Sequence, residues 1–170
     1  TGITQRPGTG LTWRAGIAAL VFALAWLIGW FATTATAMVG VWARSETFMH
    51  GFLIAPISAW LIWRLRHQLK LIVPRPGYWA LLPIFVAGIL WLIGQLSAVN
   101  ALSQFAFVAM LVMAVPLVLG WSVARAITFP LAFLFFMVPF GEFLLPPLME
   151  GTANFTVEAL RASVVPGYRE

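Results

Sequence analysis

The sequence predicts an all-α, polytopic membrane bundle of about five transmembrane helices with a short outer-face C-terminal segment. Three observations predict it. Charged residues are 9% of the 170, hydrophobic ones 62%, and the mean hydropathy is +0.95. A domain folding in water carries about 25% charged residues, so lipid is the solvent for most of this chain. The apolar runs are long and do not alternate in polarity. That excludes a barrel and leaves helices, whose backbone groups pair internally. Most of the ten basic residues flank these runs, which is how positive charge sets topology. The same scatter argues against nucleic acid as a partner despite the net charge of +5. The partner that composition implies is the lipid bilayer.

The elements follow in order. Residues 1–14, rich in Gly, Thr and Pro, form a loose N-terminus ahead of the first apolar run. Residues 15–41 make the first span, since a helix rises 1.5 Å per residue and needs about 20 residues to cross the hydrocarbon. A signal peptide would have an apolar core of only about 7–15 residues. Ala15, Ala19 and Ala23 share a face, either for close helix approach or because alanine is common in such helices. Residues 48–63 make a short second span carrying Pro56. Arg64, Arg66, His67, Lys70 and Arg75 then form the densest basic loop. Residues 79–96 make the third span, with Pro83 in its first turns, where a missing amide is tolerated. An uncharged turn over 97–104 leads to the fourth span, 105–121, kinked at Pro116. After a tight basic link at 122–125, the fifth span runs over 127–140, begins near Pro130 and breaks at Pro139. Residues 15–140 are thus the membrane domain, and 141–170 a periplasmic or interfacial segment. Within that segment a short surface helix is expected over 153–162, capped by Thr152.

Charge orients the bundle. With the N-terminus inside, Arg6, Arg14, Arg64, Arg66, Lys70, Arg75 and Arg125 fall on the cytoplasmic side, against Arg44, Arg161 and Arg169 outside. That asymmetry follows the positive-inside rule. Trp13, Trp42, Trp63, Trp79 and Trp121 fall near interfaces, while Trp26, Trp30 and Trp91 lie deep and read as packing residues.

The candidate site lies at the outer rim. Arg44, Glu46 and His50 open the second span. Glu46 and His50 are four apart and share a face if the helix begins early, which would suit the imidazole to proton transfer. The competing reading is a helix cap anchored in the headgroups. Glu142, after the fifth span, falls at the same level, either lining a shared cavity or facing water. His67 is interfacial. The two histidines fall on opposite sides and cannot share a metal, so neither metal nor cofactor is expected. There is no cysteine, hence no thiolate nucleophile in these residues.

Residues 47–54 (TFMHGFLI), then Pro56, then Trp63, Arg64, Arg66 and Leu69, resemble the N-terminal signature of bacterial exosortases. Residues 129–131 (FPL), continuing to 136–139 (FMVP), resemble the family's next characteristic stretch. Residues 165–170 (VPGYRE) resemble the segment just before its catalytic region. The resemblance runs from about Trp42 onward. It implies a multi-pass inner-membrane cysteine transpeptidase or protease, a hydrolase with its active site facing the periplasm and its N-terminus in the cytoplasm. Its implied partner is the C-terminal sorting-signal helix of exported proteins, made of a Pro-Glu-Pro motif, a transmembrane helix and a basic tail (PEP-CTERM sorting). A link to exopolysaccharide and biofilm is implied too. Thr47, Phe48, Gly51, Pro56, Trp63, Arg64, Pro130 and Pro139 are then motif positions with structural roles. The family's catalytic Cys, Arg and His come after the region resembled, so none is carried over. Without a thiolate no acyl-enzyme forms, and the chain as given is expected to be inactive. It reads as the N-terminal part of such an enzyme. The alternative is a truncated membrane scaffold or signal-binding pseudoenzyme. A transporter component is a third reading, disfavoured because no charge lies mid-span.

Overall fold

The structure, a computed structural model, describes residues 12–139 and 145–162. Two compact units divide the chain, residues 1–139 and 140–170. The described residues of the first unit form α1 (Trp13–Trp30), α2 (Ala32–Arg44), α3 (Gly51–Arg64), α4 (Arg66–Leu69), α5 (Leu81–Leu96), α6 (Asn100–Leu119), α7 (Trp121–Ala126) and α8 (Thr128–Phe133). A 3-10 turn, Tyr78–Ala80, precedes α5, and another, Leu134–Met137, continues α8. The fold is the all-helical one that composition predicts.

Burial identifies α6 as the centre. Of its most apolar 18 residues 61% are buried inside the protein, against 17% for the same length of Tyr78–Leu96 and 6% for α1. A helix that is apolar all round belongs in a core, and Ala106, Phe107, Val108 and Met110 fill this one. α5 and α6 form an antiparallel hairpin closed by Val99 N–H to Gly94 O at 2.9 Å. At Gly94 an added Cβ would lie 2.6 Å from Ser103 Oγ, so the absent side chain lets the two helices meet. α1 closes on the far end of α6, where a Cβ on Gly16 would meet Leu119 Cδ2 at 3.0 Å. Ala15 and Ala19 are exposed and Ala23 is half-buried, so of the two readings of these alanines the close approach at this point, which uses Gly16, does not need the stripe.

Three helical stretches are long and apolar enough to cross a membrane: Trp13–Trp30, Tyr78–Leu96 and Asn100–Leu119. Gly51–Arg64 and Thr128–Met137 are apolar but shorter. The run expected as one helix over 15–41 breaks at Phe31, whose φ of −102° and ψ of 31° leave the helical region. Two features accompany the break. Phe31 sets its ring edge-on to Trp91 at 4.7 Å. Thr36 Oγ1 donates back to Ala32 O and Thr33 O, and such back-bonding bends helices.

Other boundaries also move. Helix α6 begins at Asn100, inside the stretch expected as a turn, and residues 121–126 are helical rather than a link. Trp26 and Trp30, expected to pack inside, are 60% and 73% exposed. They stack with Phe22 at four-residue spacing along the outward face of α1. Lipid solvates such a face as well as protein does. In the second unit α9 spans Leu145–Ala162. Thr152 is therefore mid-helix, not a cap, and its hydroxyl donates to Leu148 O at 2.7 Å.

Candidate functional site

The two ends of the first unit differ in chemistry. At one end lie the start of α1, the 65–77 loop and the end of α6. Trp13 Nε1 donates to Ile72 O at 3.0 Å, and Arg75 N–H to Leu119 O at 3.2 Å. Arg14, Arg66, Lys70 and Arg75 sit on these elements, with Arg64 at the end of α3 and Arg125 on α7 next to them in the chain. At the other end α2 runs into the 45–50 turns and α3 begins. The one acid in residues 1–139, Glu46, is there.

A tryptophan builds that second end. Trp42, 8% exposed, donates from Nε1 to Met137 O at 2.9 Å. Phe52 meets it edge-on at 5.3 Å. Gly51 lies against the indole, where a Cβ would fall 2.5 Å from Nε1. Only a residue without a side chain accepts that contact. The joint ties α2, the start of α3 and the end of the 134–137 turn together. It thereby sets Gly51 of the stretch TFMHGFLI and Met137 of FMVP, the close of the second stretch, on the same indole. Pro130 and Pro139 are buried beside Leu131 and Val138. Pro130 is the third residue of α8, where helix amides have no intrahelical partner anyway. Val138 is extended, with φ −75° and ψ 125°, as the residue before a proline prefers. That preference ends the helix ahead of Pro139.

The Arg44–Glu46–His50 cluster differs from expectation. Residues 46–50 are turns, closed by i→i+3 bonds such as Gly51 N–H to Phe48 O at 3.0 Å, and α3 starts only at Gly51. The helical i,i+4 face on which a Glu46–His50 pair depends does not form. Arg44 folds back along α2, donating from Nε to Gly40 O at 3.1 Å. His50 Nδ1 lies 2.9 Å from Thr47 O. A carbonyl can only accept, so Nδ1 carries the proton, and in the neutral ring Nε2 keeps a lone pair. Glu46, Thr47 and His50 are all exposed, while Phe48 is half-buried against the core. Glu142 lies outside the described residues.

Of the remaining motif residues, Trp63 and Arg64 lie at the basic end. Pro56 is exposed within α3. Arg66 stacks on Trp63 with its guanidinium carbon 3.9 Å from the ring centroid. Arg64 lies over Trp60 at 5.6 Å. These cation–π contacts hold the two guanidinium groups against aromatic rings.

Four buried polar residues escaped the sequence reading: Thr34, Ser58, Ser103 and Gln104. Thr34 Oγ1 accepts from Trp91 Nε1 at 2.9 Å, while Ser58 Oγ and Gln104 Oε1 have no hydrogen-bond partner among the described residues. Ser58 was within reach of pattern analysis, because Gly51, Ile54 and Ser58 recur on one face of α3 and all three are buried. Among the described residues no group of three or more His, Cys, Asp or Glu could hold a metal.

A helical membrane protein with a sequence-specific joint at its less basic end is the class these features define. The chain belongs to the transmembrane exosortase family, whose model matches residues 42–170. That match begins at Trp42, the residue on which the joint is built. No curated protein and no solved structure matches the chain.

Proposed function

We propose that these residues form the membrane-embedded front part of an exosortase that processes C-terminal sorting signals of exported proteins at the outer face of the inner membrane. The Trp42–Gly51–Met137 joint carries the reading. It holds the TFMHGFLI stretch against Met137, near the close of the FPL…FMVP stretch, and leaves Thr47, Met49 and His50 exposed as a rim. The charge split between the ends favours an N-terminus in the cytoplasm and that rim in the periplasm. On this reading the chain crosses five times. The short helices α3 and α8 complete their crossings with the turns on either side of them.

An open apolar groove of about 500 Å³ between α1 and α5, with Gly88 and Trp30 in its wall, supports lateral entry of the signal's helix. One helical turn with side chains, about 10 Å across and 5.4 Å long, takes up about 420 Å³. The exposed His50 would position the signal's polar segment. The attacking thiolate would come from outside these 170 residues, which hold no cysteine. The link to exopolysaccharide belongs to this same reading.

The missing cysteine favours a second reading, a scaffold or signal-binding pseudoenzyme. Sequencing the coding DNA past Glu170 separates the two. An in-frame continuation with a cysteine, and with Arg and His in later spans, is expected for the enzyme; a stop codon there would favour the scaffold. Within the enzyme, His50→Ala should slow processing of a tagged sorting-signal substrate by about tenfold or more at unchanged protein level. Normal processing would reduce His50 to an anchor.

A further inference from the structure

At the basic end a crevice of about 290 Å³ opens between α1, α3, α4 and α6. Ile17 and Leu20 of α1, Ile62 of α3 and Val115 of α6 make its walls. Two cations, Arg66 and Lys70, line it as well. We infer that this crevice binds an anionic phospholipid, an acyl chain lying between the helices and the headgroup phosphate held by Arg66 and Lys70.

Wall chemistry and charge each narrow the occupant. A space of about 290 Å³ takes part of an extended chain. Its walls are hydrocarbon, and a polar chain there would leave its amides or hydroxyls without partners, at a cost of several kcal/mol. The occupant is therefore apolar along its length and polar only at its head.

The head must be anionic. The single acid of residues 1–139, Glu46, lies at the opposite end, so no carboxylate in this unit neutralises either cation. Arg66 is already aimed. Its guanidinium stacks on Trp63, and Nη1 donates to Trp63 O at 3.2 Å, leaving further N–H groups for a phosphate. Trp13, pinned to Ile72 O, lines the same crevice, as an interfacial tryptophan would beside headgroups. Basic pockets between transmembrane helices bind anionic headgroups in this way.

The test is lipid retention by the full chain purified in mild detergent. The protein is incubated with equal amounts of phosphatidylglycerol and phosphatidylcholine, and bound lipid is read by native mass spectrometry. The wild-type chain should retain phosphatidylglycerol over phosphatidylcholine by about tenfold. Arg66→Gln/Lys70→Gln should lose that preference, while Arg14→Gln/Arg125→Gln, which removes the same charge elsewhere at this end, should keep it. Leu20→Trp fills the crevice without touching a charge and should lose retention too. Millimolar inorganic phosphate should not displace the lipid. Equal retention of both lipids, equal loss in the two double variants, unchanged retention in Leu20→Trp or displacement by phosphate would each overturn the inference.

Discussion

A glycine with a tryptophan pressed on it is a sharp test of local packing. At Gly51 a methyl group would fall 2.5 Å from Trp42 Nε1. The indole cannot retreat without breaking its bond to Met137 O. Gly51→Ala should therefore cost about 1–3 kcal/mol, the usual price of overpacking, visible as a lower thermal unfolding midpoint in detergent. The smaller ring in Trp42→Phe should cost about 1 kcal/mol for the lost hydrogen bond. Combined with Gly51→Ala it should restore part of the loss, because the clash partner is gone. Strict additivity of the two would mean the contact is not the cause. Gly120 is under a different constraint. Its φ of +91° with ψ 166° is a conformation open essentially to glycine alone, so Gly120→Ala should lower the yield of folded protein. The sequence displayed Gly51 as a motif position. The reason for it was illegible, because eight residues of helix end and turn separate it from Trp42, and pattern reading does not fold turns back.

Helices were legible where composition decides and illegible where backbone geometry does. The five apolar stretches are all helical in the main, since an apolar segment in lipid must pair its own amides. The Phe31 break, the 3-10 ending of the α8 segment and the late start of α3 were not visible, because apolarity does not distinguish i→i+3 from i→i+4 bonding. One interhelical bond links the helix after the break to the hairpin: Trp91 Nε1 of α5 to Thr34 Oγ1 of α2. Polar bonds between helices in lipid average about 0.6 kcal/mol and reach about 1.7. Thr34 is 4% exposed, so Thr34→Val keeps the volume and strands the indole N–H. A stability loss near the upper end of that range is expected. Trp91→Phe alone should lose less, and a double-mutant cycle read by thermal unfolding isolates the bond. Zero coupling would show that the edge-on Phe31–Trp91 contact, not this hydrogen bond, holds α2 against α5.

For the molecule as a whole, the asymmetry of charge is the property with the widest consequence. Arg14, Arg64, Arg66, Lys70, Arg75 and Arg125 gather at one end, and Arg44, Glu46 and His50 lie at the other. Lys and Arg near span ends resist translocation, whereas acids count for little. The six-to-one excess of Arg and Lys should keep the first end in the cytoplasm. Because the chain holds no cysteine, it is its own background for accessibility mapping. Glu46→Cys, on the exposed turns, should label with a membrane-impermeant maleimide added to intact cells. His67→Cys, also exposed, should label only after the cells are opened. The candidate rim depends on this result, since a site for exported substrates must face outward. Labelling of both cysteines in intact cells would mean a mixed orientation. The reverse pattern would place His50 in the cytoplasm and remove the sorting-signal reading. Neutralising Arg64, Arg66, Lys70 and Arg75 together should increase labelling at position 67, because the charges that hold the loop inside are gone. If labelling stays unchanged, charge is not what sets the orientation.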